Sequence, residues 1–297
     1  MRILLLLLFG LLLSFQFLFA PTQVSSSDEI IWLVGSTPGD VEIKSKLEIQ
    51  PNVNVDFIKW DLKLEQSNIF VLKISYGENK PNTLGFMNGG QSRVIKGTYS
   101  IKKNGKNEIY HFNTGKMIIS MLKLNESLFH LLNSKNELKV GNGGWSFTLN
   151  NKNALKSTSL PFTNLNKNQE NRVLQEIYDG RTPCQELANE YNWKVSIDCF
   201  KLKWKLTLNR DSVSYKPTTF SIRKVIDNVP TDIAGFWTIK KGINDNPNVT
   251  SILLNFENPK QTISLLVGDN NILYFLHKDN SMLVGNENFS FTLNRRF

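Results

Sequence analysis

Apolar residues recur at every second position along most of the chain. Trp60, Leu62 and Leu64 alternate with Asp61 and Lys63, and Trp204, Leu206 and Leu208 alternate with Lys205 and Thr207. The same period runs through Phe70, Leu72 and Ile74, Tyr99 and Ile101, Trp237 and Ile239, Trp145, Phe147 and Leu149, and Phe289, Phe291 and Leu293. Such alternation predicts half-buried β-strands with one face toward a core. Clusters rich in Gly, Asn, Asp, Lys and Pro at 77–81, 103–107, 268–271 and 278–280 predict the turns between them. Helical periodicity is scarce, and only Glu186 to Tyr191 allows a short helical turn. Short strands at regular spacing predict an antiparallel meander closed into a small barrel; a two-sheet sandwich is the alternative.

The pattern is written twice. Val140-Gly-Asn-Gly-Gly-Trp-Ser-Phe-Thr-Leu-Asn150 returns as Val284-Gly-Asn-Glu-Asn-Phe-Ser-Phe-Thr-Leu-Asn294, at an offset of 144 residues. The same offset relates Ile119 to Ile263, Leu132 to Leu276, and Lys59-Trp60 to Lys203-Trp204. Gly35-Ser-Thr-Pro38 pairs with Gly180-Arg-Thr-Pro183, and Gly97-Thr-Tyr99 with Gly235-Phe-Trp237, at slightly different offsets that reflect unequal loops. Landmarks recur in one order over about 120 residues, long enough for each copy to own a core. The reading is therefore all-β: tandem lipocalin-like barrels over 28–150 and 173–297, joined by a polar linker at 151–172. The expected repeat core is Trp60, Leu62, Tyr99, Trp145 and Phe147 in the first copy and Trp204, Leu206, Trp237, Phe289 and Phe291 in the second. The linker carries little apolar pattern, so few contacts are expected between halves that fold independently.

The first twenty residues say where the chain goes. Met1-Arg2 is followed by an apolar run from Ile3 to Phe19, broken only by Gly10, Ser14 and Gln16, and Ala20 precedes a polar segment. This is the layout of a secretory signal peptide over 1–20, with cleavage expected between about 20 and 27. An uncleaved anchor is the alternative. Without a cysteine near the cleavage region, no lipid anchor is expected. The expected location is periplasmic or extracellular, and no integral membrane segment is expected after cleavage.

Composition excludes several classes. Of 297 residues, 40% are hydrophobic and 21% charged, which argues against disorder and against a multi-span membrane protein. Lys+Arg number 35 against 26 Asp+Glu, a net charge of +9. The lysines are spread along strands, as at Lys59 and Lys63 or Lys201, Lys203 and Lys205, and read as a solvated outer face that discourages edge pairing, with a polyanion-binding face, such as one for an anionic envelope polymer, as the alternative. No nucleic-acid partner is expected.

Candidate chemistry is sparse. Cys184 and Cys199 are the only cysteines. In an exported chain they read first as a disulfide, with free thiols or a soft-metal pair as alternatives. His111, His130 and His277 each stand without a second His or a carboxylate at ligand spacing and read as ordinary strand or turn residues. No G-x-S-x-G elbow, P-loop, dinucleotide fingerprint or HExxH motif accompanies them, so neither an enzyme nor a cofactor is expected. A hydrolase built on one lone His is a remote alternative. Asn125-Glu-Ser127, Asn248-Val-Thr250 and Asn288-Phe-Ser290 fit a glycosylation pattern, but among 35 Asn such triplets arise easily by chance.

Tyr178-Asp-Gly-Arg-Thr-Pro-Cys184, then Lys203-Trp-Lys-Leu-Thr-Leu-Asn209 and Gly235-Phe-Trp-Thr-Ile239, resembles the N-terminal domain of the NlpE family of bacterial envelope proteins. The resemblance is closest over 177–297, with 31–150 as a degenerate second copy. It implies a small lipocalin-like barrel in the cell envelope and a role in binding, sensing or a copper-resistance-like stress response. The chain departs from the family motif at Leu187, where its second cysteine would stand, and at Gly39, which replaces Cys184 in the first copy. The partner is expected to be an envelope protein or, in a lipocalin-style carrier, a small apolar ligand.

Overall fold

The alternating runs pair with their chain neighbours and close into two barrels, as seen in a computed structural model that describes residues 30–297 except 106, 155, 156, 158, 162–172, 244–245 and 258–259. The expected export signal and most of the expected linker lie outside the described residues. The first barrel comprises β1 (Trp32–Pro38), β2 (Phe57–Glu65), β3 (Ile69–Gly77), β4 (Gln91–Asn104), β5 (Asn107–Asn113), β6 (Ile118–Lys123), β7 (Leu128–Leu131) and β8 (Thr148–Asn151). The second comprises β9 (Gln175–Thr182), β10 (Leu202–Arg210), β11 (Pro217–Ile226), β12 (Val229–Ile243), β13 (Asn246–Phe256), β14 (Gln261–Val267), β15 (Ile272–Phe275) and β16 (Thr292–Arg295). Every pairing is antiparallel, and all but the closing pairs β1–β8 and β9–β16 join chain neighbours. Val34 opposite Asn150 closes the first barrel, and Asp179 opposite Asn294 closes the second. Closure leaves no free sheet edge, which removes the sandwich alternative.

The inward positions are those the alternation marks. Trp60, Leu62, Phe70, Leu72, Ile74, Phe112 and Phe129 fill the first barrel. Trp204, Leu206, Leu208, Phe220, Trp237, Phe275 and Phe291 fill the second. Trp60 Nε1 donates to Thr37 Oγ1 at 2.8 Å, and Trp204 Nε1 donates to Thr182 Oγ1 at 2.9 Å, so both indoles meet their one polar need in the same way. Glycine is required at one repeated strand position. A Cβ on Gly97 would stand 2.1 Å from Asn113 O, and one on Gly235 would stand 2.2 Å from Asn255 O.

A short helix follows the first strand of each barrel. The sequence shows α2 (Gln185–Tyr191), which sends Leu187 and Tyr191 into the second core. It does not show α1 (Val41–Lys46), because six residues that include β-branched Val41 and Ile43 carry no readable period. Asp40 Oδ1 caps α1 by accepting from Ile43 N at 2.7 Å, and Ile43 and Leu47 pack into the first core. The Cys184–Cys199 disulfide ties the start of α2 to the segment before β10.

Three expectations need correction. Trp145 and Phe289 do not plug barrel interiors but stand outside them, between the barrels, with Trp145 half-buried. Tyr99 is also only half-buried and packs against the edge of the first core. Finally, the halves share a core. Leu122, Leu128, Leu132 and Leu138 of one barrel form a single cluster with Leu266, Ile272, Tyr274, Leu276 and Met282 of the other, and Leu160 from the expected linker joins it. The outer faces of β6, β7, β14 and β15 are apolar too, and docking is what covers them. Among the described residues, no helix is long and apolar enough to cross a membrane.

Candidate functional site

The barrels dock through equivalent positions. Ser146 Oγ lies 2.5 Å from Ser290 Oγ, and Thr148 Oγ1 lies 2.9 Å from Thr292 Oγ1. Gly141 N donates to Asn294 Oδ1 at 2.7 Å, and Gly285 N returns the contact by donating to Asn150 Oδ1 at 2.8 Å. A residue meeting its own copy, and contacts returned in pairs, are the signature of a two-fold axis. The alternate residues of β8 and β16 are therefore buried on both faces rather than solvated on one.

Beside this axis the strand ends leave a cleft. From the first barrel come Phe57 and Trp145, stacked at 4.7 Å, with Phe86 stacked on Phe57 at 4.3 Å. From the second comes Arg181, whose guanidinium lies 4.8 Å from the centre of the Trp145 ring. Ser36, Lys201, Asn288 and Phe289 also line the cleft, with Asn79, Thr83 and Leu84 on the side of the first barrel. Lys201 also lines an adjoining cavity of about 140 Å³ with Asn82, Phe200, Lys203, Val225, Asp227 and Asn228. Burial lowers the pKa of Lys201, and the charges of Arg181 and Lys203 lower it further. Burial also lowers the pKa of Arg181, against the opposing pull of Asp56. Lys59 is shifted down by burial as well, with Glu287 opposing, and donates to Asn288 Oδ1 at 2.8 Å. The lysine row that reads as a solvated face thus divides: Lys63 and Lys205 are exposed, while Lys59, Lys201 and Lys203 are half-buried at the cleft.

The remaining candidates disperse. His130 is fully buried between the barrels. Its Nε2 donates to Lys139 O at 2.9 Å, and its Nδ1 lies 2.9 Å from both Thr148 Oγ1 and Tyr274 Oη. Burial pushes its pKa down to about 4, so the imidazole is neutral and Nδ1 accepts. His277 Nδ1 meets Glu190 Oε2 at 2.7 Å, and His111 Nδ1 meets Ser120 Oγ at 2.9 Å. Among the described residues, no Ser–His–carboxylate set is brought together at any of the three. Cys184 and Cys199 carry no free thiolate, which removes the soft-metal alternative. Among the described residues no group of three His, Cys, Asp or Glu side chains could hold a metal. Asn125 is buried with its Oδ1 accepting from Ser127 N and Leu128 N, so that triplet is a turn.

Sequence reading names Trp145, Phe289, Lys59, Lys203 and Arg181 but does not gather them, and it passes over Phe57. The signal was present in the comparison of copies: Arg181 stands where the first copy has Ser36, and Lys201 where it has Phe57. Fold and cleft together define a tandem-barrel protein with a cation-and-aromatic cleft at the junction of its halves. Comparison of the chain with protein-family models, curated proteins and solved structures gives no match.

Proposed function

We propose that the protein is an exported, non-enzymatic component of the cell envelope, of NlpE-like type, that acts by binding or sensing, and that its ligand site is the cleft between the barrels. The observation that carries this reading is the contrast between the two kinds of interior. Each barrel is filled by its own large side chains, whereas the junction keeps a cavity lined by cations, amides and aromatic rings. A carrier holding an apolar ligand inside a barrel is correspondingly disfavoured. The disulfide supports an oxidising compartment, and the apolar leader supports export. Copper handling through paired thiols is not part of the reading, because the two sulfurs are joined.

Fractionation of the source cells, with native mass spectrometry of the recovered chain, tests it. The expected result is a chain beginning after residue 20, in the envelope or secreted fraction, that retains a non-covalent ligand. A full-length chain in the cytoplasm would contradict it.

A further inference from the structure

Arg181, Lys201 and Lys203 bring three cations to the cleft and its adjoining cavity with no hydrogen-bond or ion-pair partner among the described residues. Arg181 and Lys203 are register partners on β9 and β10, so two like charges face each other across one strand pair, an arrangement that lowers stability. Lys201 lies just before β10 and lines the same cavity as Lys203. Among the described residues, none of the three side chains makes a hydrogen bond or an ion pair. Arg181 rests on Trp145 and Lys201 on the Phe200 ring, each at 4.8 Å. Asp56 and Asp227 are the nearby carboxylates; the first influences Arg181 and the second lines the cavity, and neither pairs with a cation of the cluster.

The chain carries its own control. Ser36, Phe57 and Lys59 occupy the equivalent positions of the first barrel, and Ser36 and Lys59 are register partners just as Arg181 and Lys203 are. There the surface is satisfied. Ser36 Oγ donates to Glu287 O at 2.8 Å, Phe57 stacks on Trp145, and Lys59 donates to Asn288 Oδ1. One scaffold thus closes this surface with neutral or hydrogen-bonded groups in one half and presents cations that rest only on aromatic rings or meet no carboxylate in the other. Mutual repulsion is a standing disadvantage that an anion in the cleft would reverse.

We propose that the cavity beside the cleft binds a phosphate-type oxyanion, with Lys201 and Lys203, which line it, as ammonium donors and Arg181, the register partner of Lys203, as a reinforcing guanidinium that shares the adjoining cleft with Lys201. Asn82, Asp227 and Asn228 stand where they can meet hydroxyls on whatever carries the anion. The anion is either free or esterified on an envelope sugar or polymer. This inference rests on the binding role proposed above and specifies its ligand.

Calorimetric titration of the mature chain at low salt, with inorganic phosphate and with glycerol phosphate, tests it. The native protein is expected to saturate. A double variant, Arg181→Ser with Lys201→Phe, installs the residues of the first barrel and is expected to weaken binding by roughly tenfold or more. It should melt no lower than the native protein, because repulsion is relieved. Tighter binding of glycerol phosphate assigns the esterified source, and equal binding assigns the free anion. Failure of both probes to saturate, or undiminished binding by the variant, overturns the proposal. If the double variant does not fold, Arg181→Gln provides the same contrast: weakened binding with an unchanged melt supports the site, and unchanged binding rejects it. A ligand retained from the host alongside two silent probes would reject the oxyanion and leave the binding role standing.

Discussion

Thr148 and Thr292 hold the same place in the two barrels, and their Oγ1 atoms lie 2.9 Å apart. Equivalent side chains can meet only where a two-fold axis passes between them. The sequence Ser-x-Thr-x-Asn, repeated at 146–150 and 290–294, is the polar lining of that axis: its serines and threonines meet their copies, and its asparagines accept from the opposite chain turn. The tandem halves thus stand to one another as the two subunits of a symmetric dimer do.

Separating the halves should expose what the junction buries. Residues 28–150 would present Leu122, Leu128, Leu132 and Leu138, and residues 173–297 would present Leu266, Ile272, Leu276 and Met282. Each half alone is expected to self-associate, and a mixture to form the heterologous pair, as read by light scattering during gel filtration. Two monomers that ignore each other would contradict the shared core.

The disulfide stabilises one barrel, but the fold does not depend on it. Gly39 and Val55 occupy the places of Cys184 and Cys199 in the first barrel, and a Cβ on Gly39 would stand 2.4 Å from Val55 Cγ1. The close approach is kept there by a missing side chain rather than by a bond. Reduction of the 15-residue link should therefore lower stability by about 3 kcal/mol and leave β-structure intact. Denaturant melts with and without reductant measure this, and complete unfolding on reduction would argue against it.

His130 makes the junction sensitive to acid. An unfolded chain takes up its proton near pH 6.5, whereas the folded protein holds the imidazole neutral down to about 4. The contribution of this residue is thus fully present above pH 6.5 and is lost as pH falls toward 4, by roughly 3 kcal/mol in all. In His130→Phe, equilibrium melts should lose this part of the pH dependence, as protonation no longer opposes burial between Lys139 O and Tyr274 Oη. The same slope in variant and native protein would place the sensitivity elsewhere.

The barrels themselves were legible because their information is local. Period-two runs and turn clusters fix which residues pair and which face points inward, and the repeat supplies the whole sequence of strands twice. The junction was hidden because a second buried face breaks no rule of alternation. Ser146, Thr148 and Asn150 look like solvated residues in one copy, and only their return in the other hints that something contacts them. Leu122, Leu128 and Leu132 gave a plainer hint, since they lie on the faces that alternation assigns to water. Trp145 misled for the opposite reason: it sits in phase with Phe147 and Leu149, but β8 begins only at Thr148, so the phase does not extend back to it. The cationic cleft has no motif at all. It shows only as a difference between copies, at Arg181 against Ser36 and Lys201 against Phe57.

Docking on the two-fold axis creates the cleft, and a cross-link tests that docking directly. Ser146 Oγ and Ser290 Oγ are 2.5 Å apart, close to the reach of a disulfide of about 2 Å between sulfurs. In Ser146→Cys with Ser290→Cys, air oxidation should join the halves, and non-reducing mass mapping should recover one peptide pair containing both positions alongside the native Cys184–Cys199 pair. Two persistently free thiols in the folded double variant would contradict the docking of the barrels and the cleft that depends on it.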